Sequence, residues 1–474
     1  MTQYLMTECH VRSLIKFLVI AVLLLPLFST SSRAQSTKQQ IEDLKQQIET
    51  IQRQNQEQID QLKKQIELME SAREADQEKI AEVVKKEDDA WYNNFKAKYK
   101  KGLVFQSEDG KFKMRFRLRG QFQASVTDRD GANTSTNFSI ARVRMKWDGH
   151  AYKPWLLYAL QLGARDSVSL RDLYFTVAYN KSIMPRVGQN KVPFSRGALN
   201  SSSALQFVTR SIVDGAFAYG RDRGISVYGA LGNNSNYSFS YGAGVYNGDG
   251  RNGRSTDSNM LYVGRIQFGV GGEGNNFGML FRGNNASFPT EQAYKLIPNF
   301  AKSPTFVVGA AIAGIPGLNT DRKTPDGSLA NRMEELGVTV ADVTSITADM
   351  NFKMPVFNVQ GTYMGRWISP EEGGADTAYD QGFNIQAGVF LMPKTLEFAG
   401  RFSYIDYDTN AGVVPPGMSI RDVAWAITPG INYYISHDHR WKVQLQYSYL
   451  KEEFTEDAPN VNSNILRAQL QVYF

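Results

Sequence analysis

Residues 111–126, KFKMRFRLRGQFQASV, constrain the fold most strongly because apolar and polar side chains alternate along them. One parity carries Phe112, Met114, Phe116, Leu118, Phe122, Ala124 and Val126. The other carries Lys111, Lys113, Arg115, Arg117, Arg119, Gln121, Gln123 and Ser125. Successive side chains of a β-strand point to opposite faces, so the segment predicts a strand with one apolar and one basic face. A soluble sandwich and a membrane-spanning barrel both accommodate such a strand.

The N-terminal residues predict a secretory signal peptide. Arg12 and Lys16 precede the apolar run 17–28, and Ser32 and Ala34 provide a small-x-small cleavage site. The run is shorter than the ~20 residues that a membrane-spanning helix needs. The single cysteine, Cys9, precedes the run, so we expect an exported mature chain without a disulfide.

The segment that follows the signal predicts a coiled coil. Residues 36–89 are rich in Gln, Glu, Lys, Ile and Leu and contain no Gly or Pro. A heptad seam runs through Ile41, Leu44, Ile48 and Ile51 to Asn55 and resumes after a four-residue shift at Ile59, Leu62, Ile66 and Met69. A helix this polar is unstable alone, so we expect it to oligomerise over roughly 80 Å. A solvated linker helix is the alternative.

From residue 111 onward, alternating segments and turns predict sixteen antiparallel strands. They start near Phe112, Phe138, Trp155, Leu170, Ile183, Arg223, Asn236, Met260, Asn276, Thr344, Phe357, Gln381, Thr395, Arg421, Trp441 and Asn464. Short connections alternate with long ones, which is typical of an up-and-down outer-membrane barrel. We place the apolar segments 305–312 and 329–340 in a long loop, 285–343; counting both as strands gives eighteen as the alternative.

The last segment, NILRAQLQVYF, is amphipathic and ends on an aromatic residue, Phe474, as the final strands of outer-membrane barrels do. The sequence therefore predicts an all-β transmembrane barrel over residues 111–474, in the outer membrane of a Gram-negative-type bacterium. Before it we expect a signal peptide (1–34), a periplasmic α-helical coiled coil (35–89) and a linker (90–110).

Six stretches occur in a characteristic order: SIARVRMKWDG (139–149), LRDLYFTVAY (170–179), RVGQNKVPFS (186–195), FVTRS (207–211), YGRDRGISVYG (219–229) and GAGVYNGDG (242–250). Together they resemble the phosphate-selective porin O/P family. Asn190 departs from the apolar or aromatic residue that the family usually carries there. The resemblance implies a trimeric, sixteen-stranded outer-membrane porin that passes anions, phosphate in its better-known members.

Seven basic residues share the lumenal parity of two neighbouring strands: Lys113, Arg115, Arg117, Arg119, Arg142, Arg144 and Lys146. Antiparallel neighbours lie about 4.8 Å apart, so these side chains predict a dense positive wall. Asp148, Asp172 and Glu397 neutralise only part of it. Like charges that face each other destabilise a sheet, so we interpret the wall as a pathway that attracts and passes anions. The alternative is a ladder paired with loop carboxylates.

The third long connection, 192–222, is the one that commonly folds into a porin lumen. The loop and its ends carry Lys191, Arg196, Arg210, Arg221 and Arg223. Guanidinium groups bind phosphate oxygens bidentately, whereas Lys acts as a point charge. We therefore expect Lys191, Arg196 and Arg210 near the constriction. In the alternative, some of these residues clamp the loop to the wall through Asp214 or Asp222.

Other functional classes find little support in the sequence. His437 and His439 flank Asp438 in a predicted turn without further ligands nearby, so we expect neither a metal site nor a cofactor. No Ser/His/Asp arrangement with credible spacing predicts an enzyme. The formal net charge of +6 and the pI near 9.0 would suit nucleic acid, but the export signal argues against that partner.

The expected partners are two further copies of the chain in a homotrimer, outer-membrane lipid and lipopolysaccharide, inorganic anions such as phosphate, and peptidoglycan through the coiled coil. The competing hypothesis is a structural anchor. In that case the coiled coil would tether the envelope to the cell wall, and the barrel would be closed or a general-diffusion pore.

Overall fold

In a computed structural model of the chain, the described residues are 37–86, 95–231, 237–253, 258–270, 305–319, 327–354, 356–371, 376–409, 411, 419–455 and 458–474. The chain divides into two units, Met1–Ala90 and Trp91–Phe474. The predicted signal peptide, 1–34, lies outside the described residues.

Among its described residues, the first unit contains one helix, α1 (Thr37–Lys86), of 50 residues. The predicted helical segment is thus present, and at ~1.5 Å per residue it is about 75 Å long. The heptad side chains of Ile48, Ile51, Ile59 and Leu62 are each about half exposed. Within the described part of the chain, no helix is both long and apolar enough to cross a bilayer. The coiled coil stays a prediction.

The described part of the second unit contains eighteen strands and three short helices. The strands are β1 (Phe95–Tyr99), β2 (Leu103–Ser107), β3 (Lys113–Arg129), β4 (Ser135–His150), β5 (Leu156–Ala164), β6 (Val168–Val177), β7 (Met184–Lys191), β8 (Arg221–Leu231), β9 (Tyr237–Tyr246), β10 (Leu261–Val270), β11 (Thr305–Asn319), β12 (Val340–Lys353), β13 (Phe357–Pro370), β14 (Ala378–Met392), β15 (Leu396–Asp406), β16 (Arg421–Tyr434), β17 (Lys442–Phe454) and β18 (Val461–Tyr473). The helices are α2 (Arg196–Leu199), α3 (Ile212–Phe217) and α4 (Gly327–Glu335).

Strands β3–β18 form a closed antiparallel barrel of sixteen strands. Each pairs with the next in sequence, and β18 returns to pair with β3. At the seam, the backbone N–H groups of Leu118 and Phe474 each donate to the carbonyl of the other, at 2.7 and 3.0 Å. The predicted sixteen-stranded barrel is therefore confirmed, with two extra strands beside it.

The period-two pattern separates the two faces of the wall. In β17, Lys442, Gln444 and Gln446 are buried, whereas the intervening Val443 and Leu445 are exposed. Exposed apolar side chains are stable on a surface that faces lipid, and polar ones on a surface that faces the lumen. The alternation thus decides which side chains line the interior.

One barrel strand lies where the sequence predicts a loop. Residues 305–312, assigned to a loop, belong to β11, which pairs directly with β10 and β12. The strand expected near Asn276 lies outside the described residues. β11 lacks a polar parity because its inward residues Ala311, Ala313 and Ile315 join an apolar cluster inside the barrel. The second loop segment, 329–340, begins in helix α4 rather than in a strand.

The predicted linker, 90–110, also contains structure. β1 and β2 form a hairpin whose turn includes Gly102 at φ +126°, a conformation that favours glycine. β2 pairs with β3 from Leu103↔Phe116 to Gln106↔Lys113. It therefore occupies the edge of β3 just beyond the point where β18 ends, at Tyr473↔Arg119.

Candidate functional site

The basic residues of β3 and β4 lie opposite one another across the two strands. Arg117 lies opposite Lys146, and Arg119 lies opposite Arg144, so like charges do face each other across the two strands. A bulge between Gln121 and Phe122 changes the register, so that Phe122 pairs with Ile140. Phe122 and Ile140 are both exposed. The bulge therefore keeps both apolar residues on the outer face while the basic residues stay inside.

Part of the wall is neutralised by a neighbouring carboxylate. Asp148 accepts from Arg115 at 2.7 Å through Oδ2 and from Arg117 through Oδ1. Lys113, two residues before Arg115 on β3, lies opposite His150. Two guanidinium groups thus share one negative charge, which comes from a carboxylate of strand β4 and not from the loop carboxylates of the alternative.

The adjacent part of the wall carries positive charge without such a partner. Arg119 donates to Ser202 Oγ at 2.8 Å, Arg142 to Gln121 Oε1 at 3.0 Å, and Arg144 to the carbonyl of Val143 at 2.8 Å. None of the ion pairs among the described residues includes Arg119, Arg142, Arg144 or Lys146. These four side chains therefore form a positive cluster that a mobile anion can complement.

The connection between β7 and β8 enters the lumen, with α2 and α3 in it. Lys191 Nζ donates to the carbonyls of Ala198, Leu199 and Asn200 at 2.6–2.9 Å, which stabilises the end of α2. Arg210 donates to the carbonyls of Gly197 and Asn200 at 2.8 Å. Both cations therefore hold the backbone of the constriction loop.

Arg210 also belongs electrostatically to the positive cluster. Burial lowers its pKa to about 10, and repulsion from Arg142 and Arg221 acts in the same direction, while Asp214 opposes them. The guanidinium remains charged at neutral pH. The loop and the wall thus bring positive charge to the same part of the lumen.

Arg196 clamps the loop to the wall. Its Nε donates to Asp349 Oδ1 at 2.5 Å, and Arg265 Nη2 donates to Asp349 Oδ2 at 2.7 Å. Arg265 Nη1 also donates to the carbonyl of Phe194 in the loop, at 2.7 Å. The three ionised side chains are at most 1% exposed. The alternative of a clamp was correct for Arg196, but its carboxylate is Asp349.

The two residues that end the loop have different surroundings. Arg221 forms a bidentate pair with Asp172 at 2.8 and 3.1 Å. Arg223 is exposed and shares the parity of the outward-facing Ile225, so its expected place at the constriction is wrong. The carboxylates proposed as clamps have other partners: Asp214 accepts from the hydroxyls of Ser195 and Ser211, and Asp222 from backbone N–H groups.

The rest of the loop lies against a part of the wall that is rich in side-chain amides. Gln121 donates to the carbonyl of Ser202, and Gln471 to that of Ser203, at 3.1 and 3.0 Å. Further along, Gln446 bonds to the backbone N–H and the hydroxyl of Thr209. These bonds satisfy the buried loop backbone, as a segment away from water requires.

A second insert fills the lumen beside the loop. Helix α4 packs with α3 in the apolar cluster, through residues such as Met333 and Phe217. Asp380 on β14 joins both inserts, because it pairs with Arg332 of α4 at 2.8 Å and with Arg366 at 2.9 Å. Arg366 in turn donates to the carbonyl of Ala216 in α3.

Three residues of the basic wall are more accessible than the wall beside the loop. Among the described lumenal residues of β13–β17 beside the loop, Gln360, Glu397 and Gln444 are at most 3% exposed. Arg142, Arg144 and Lys146 retain partial exposure.

Sequence reasoning missed Arg265, Asp349, Asp380 and Gln206 as parts of the site. It also assigned Glu397 to the neutralisation of the basic wall, whereas Glu397 bonds to Gln206 of the loop. A charged residue in the lumenal parity of a strand was the available signal. Parity identifies the face of the barrel wall on which a charged residue lies, but it does not identify the residue with which it pairs.

Comparison with known proteins places this architecture in context. The family described as phosphate-selective porin O and P matches residues 112–474. No curated protein matches the chain. Among solved structures, the chain is similar to the trimer form of OmpT from Vibrio cholerae, with 12% identity, a TM-score of 0.46 and coverage of 76% of this chain and 99% of that one.

Two further solved structures show a comparable likeness. DcaP, an outer-membrane channel of Acinetobacter baumannii, is 10% identical with a TM-score of 0.46, covering 78% of this chain and 99% of that one. OmpF of Salmonella typhi, in complex with daunomycin, is 12% identical with a TM-score of 0.47, covering 80% of this chain and 100% of that one.

Proposed function

Because this chain belongs to the phosphate-selective porin O and P family, we propose that its outer-membrane channel is selective for anions, phosphate among them. The observation that carries the proposal is the cluster of Arg119, Arg142, Arg144 and Lys146. Its four positive charges face the lumen, and no carboxylate among the described residues pairs with them.

Selectivity follows from the electrostatics of a narrow, one-sided path. Positive charge beside low-dielectric walls concentrates anions and repels cations. The cations are spread over two strands, so an anion can exchange one contact for the next without a single deep binding site. Arg142 and Arg144 can each offer two parallel N–H donors to phosphate oxygens, which favours phosphate over chloride.

In this mechanism the amide-rich wall and the loop mainly determine the width of the ion path. Arg196, Lys191 and Arg210 stabilise the loop that narrows the path, and Arg210 adds to the positive potential. The family and the barrel are consistent with a channel that is not an enzyme.

We propose a homotrimer whose α1 helices form a coiled coil in the periplasm, after removal of residues 1–34. The exposed heptad side chains of α1 support this assembly, because an isolated helix would leave them in water. Contacts of the barrel with lipopolysaccharide, and of the coil with peptidoglycan, belong to the same proposal. The family assignment does not favour an anchor with a closed barrel.

The test is the zero-current potential of the purified protein in a planar bilayer across a KCl gradient, followed by titration with phosphate. We expect chloride preference and a phosphate-dependent decrease in chloride current. Lys146→Gln should reduce the preference, because it removes one lumenal charge. Lys451→Gln is the matched control: Lys451 shares the parity of the outward-facing Tyr447 and pairs with Glu453.

A cation preference of the wild-type protein would contradict the proposal. Absence of conductance would favour the structural anchor. Chloride preference without any effect of phosphate would retain anion selectivity and remove phosphate as a preferred ion.

A further inference from the structure

Glu397 is a buried carboxylate on a strand four positions from β3 around the barrel wall. It lies on β15 in the lumenal parity, with Ala399 and Arg401, and its exposed fraction is 0%. A charged group loses its hydration in such a place, so it persists only where other groups replace the water. Its partners therefore indicate what the residue does.

Four donors converge on the Glu397 carboxylate. Oε1 accepts from Gln206 Nε2 at 2.7 Å and from Asn358 Nδ2 at 3.1 Å. Oε2 accepts from Asn432 Nδ2 at 2.9 Å and from the Tyr434 hydroxyl at 2.6 Å. An ionised carboxylate only accepts hydrogen bonds, so both oxygens match this all-donor surrounding.

Gln206 is the one of these donors that belongs to the constriction loop. Its Nε2 also donates to Asn358 Oδ1 at 3.0 Å, and its Oε1 accepts from Gln386 Nε2 at 3.0 Å. Its backbone carbonyl accepts from Gln444 Nε2 at 3.1 Å. The Gln206 side chain, 2% exposed, is therefore held at both ends of its amide.

The wall also leaves room for this side chain. A Cβ at Gly388 would clash with both Gln206 Nε2 and Glu397 Oε1. Beside it, Lys442 Nζ donates to the carbonyl of Leu205 at 2.7 Å. Five lumenal positions on β13–β17 thus form a socket for residues 205 and 206 of the loop: Asn358, Gln386, Gly388, Glu397 and Lys442.

We propose that Glu397 is a positioning residue that anchors the constriction loop through Gln206 and thereby fixes the width of the ion path. Glu397 is four strands from β3 and bonds to Gln206 of the loop, so it acts on the ions through the loop. The inference rests on the proposed function only in that ions pass beside this loop.

Glu397→Gln tests the anchor without changing the size of the side chain. An amide has one acceptor oxygen and one donor nitrogen, and the Tyr434 hydroxyl can also accept, so at least one side-chain amide of Gln206, Asn358 or Asn432 must face another donor. A buried donor without an acceptor is unfavourable, so the loop should leave the socket for part of the time. We expect single-channel current noise to increase several-fold and unitary conductance to change.

Asp406→Asn is the matched control. Asp406 ends the same strand in the outward parity and accepts from Gln381 at 3.0 Å. The variant removes one carboxylate from β15 at a position that faces away from the loop. We expect wild-type conductance and noise.

Gln206→Ala keeps the inference testable if Glu397→Gln does not fold. If the carboxylate acts through Gln206, this variant should be equally noisy, and the double variant should be no noisier than either single one. Wild-type noise and conductance in Glu397→Gln would overturn the anchor, as would additive effects in the double variant.

The readout separates this inference from the proposed function. Anion selectivity is tested by the zero-current potential of the wild-type protein, whereas the anchor is tested by noise and conductance. A wild-type channel without anion preference would refute the first and leave the second fully testable.

Discussion

At the residue scale, cations with the same chemistry have different roles according to their partners. The charge of Arg196 is neutralised by an ion pair with Asp349, and that of Arg221 by an ion pair with Asp172. Arg142 and Arg144 bond to neutral oxygens and keep their charge available to a mobile ion. The number of basic residues in a pore therefore predicts its selectivity poorly; the number without a carboxylate partner is the relevant quantity.

A prediction at this scale concerns Asp148. Asp148→Asn removes the negative charge that Arg115 and Arg117 share, so two more guanidinium groups join the positive wall. We expect the zero-current potential across a KCl gradient to shift further toward the chloride equilibrium potential. Asp406→Asn, which removes a carboxylate from the outer face, should leave the potential unchanged. A shift toward the potassium potential in Asp148→Asn would contradict the assignment of the ion path to this wall.

At the element scale, the loop between β7 and β8 is held from several sides. Arg196 reaches β12 through Asp349, Gln206 reaches β15 through Glu397, and Arg119 of β3 reaches Ser202. A loop bound at such separated points stays in place because any other position in the lumen would leave its backbone N–H and carbonyl groups without hydrogen-bond partners.

The Arg196–Asp349–Arg265 cluster gives a stability prediction for this loop. Asp349→Asn leaves two buried guanidinium groups without their carboxylate, which costs about 3–5 kcal/mol in comparable buried pairs. We expect a correspondingly lower urea midpoint, measured by tryptophan fluorescence of the folded barrel. Asp342→Asn is the control because Asp342 is exposed on the same strand and accepts only a backbone N–H from Gly317. Equal midpoints for the two variants would show that the cluster does not stabilise the fold.

At the scale of the whole molecule, the chain combines a closed barrel with a long helix. The barrel satisfies every strand edge by closure of β18 on β3, which a membrane requires. The helix α1 has the opposite property, since its apolar seam remains exposed in a single copy. A single chain therefore pairs the strand edges of the barrel, whereas it leaves the apolar seam of α1 exposed.

This difference predicts how oligomerisation depends on α1. Ile59→Asn combined with Ile66→Asn places polar groups in the seam, so on dilution the assembly should dissociate at a higher concentration of detergent-solubilised protein than the wild type does, measured by light scattering after size exclusion. Gln61→Asn, outside the seam, is the control. Unchanged dissociation in the seam variant would place the contacts between copies elsewhere.

The strands and their faces could be predicted from the sequence because a period of two is a local property. Fifteen of the sixteen predicted starts lie within about four residues of an observed barrel strand, as the precision of sequence-based boundaries allows. The exception, near Asn276, lies outside the described residues. β11 was missed because its inward residues are small and apolar, so no alternation marks it.

The alternating strands, the basic parity of β3 and β4 and the long helix could be predicted from the sequence, since each rests on side chains that are close along the chain. Which charges are neutralised, and where the loop is anchored, depend instead on contacts between distant parts of the chain. Arg196 meets Asp349 across 153 residues, and Gln206 meets Glu397 across 191. Such pairs depend on the path of a loop through the lumen, which no local period encodes; burial then makes each pairing specific, because an unpaired polar group there is costly.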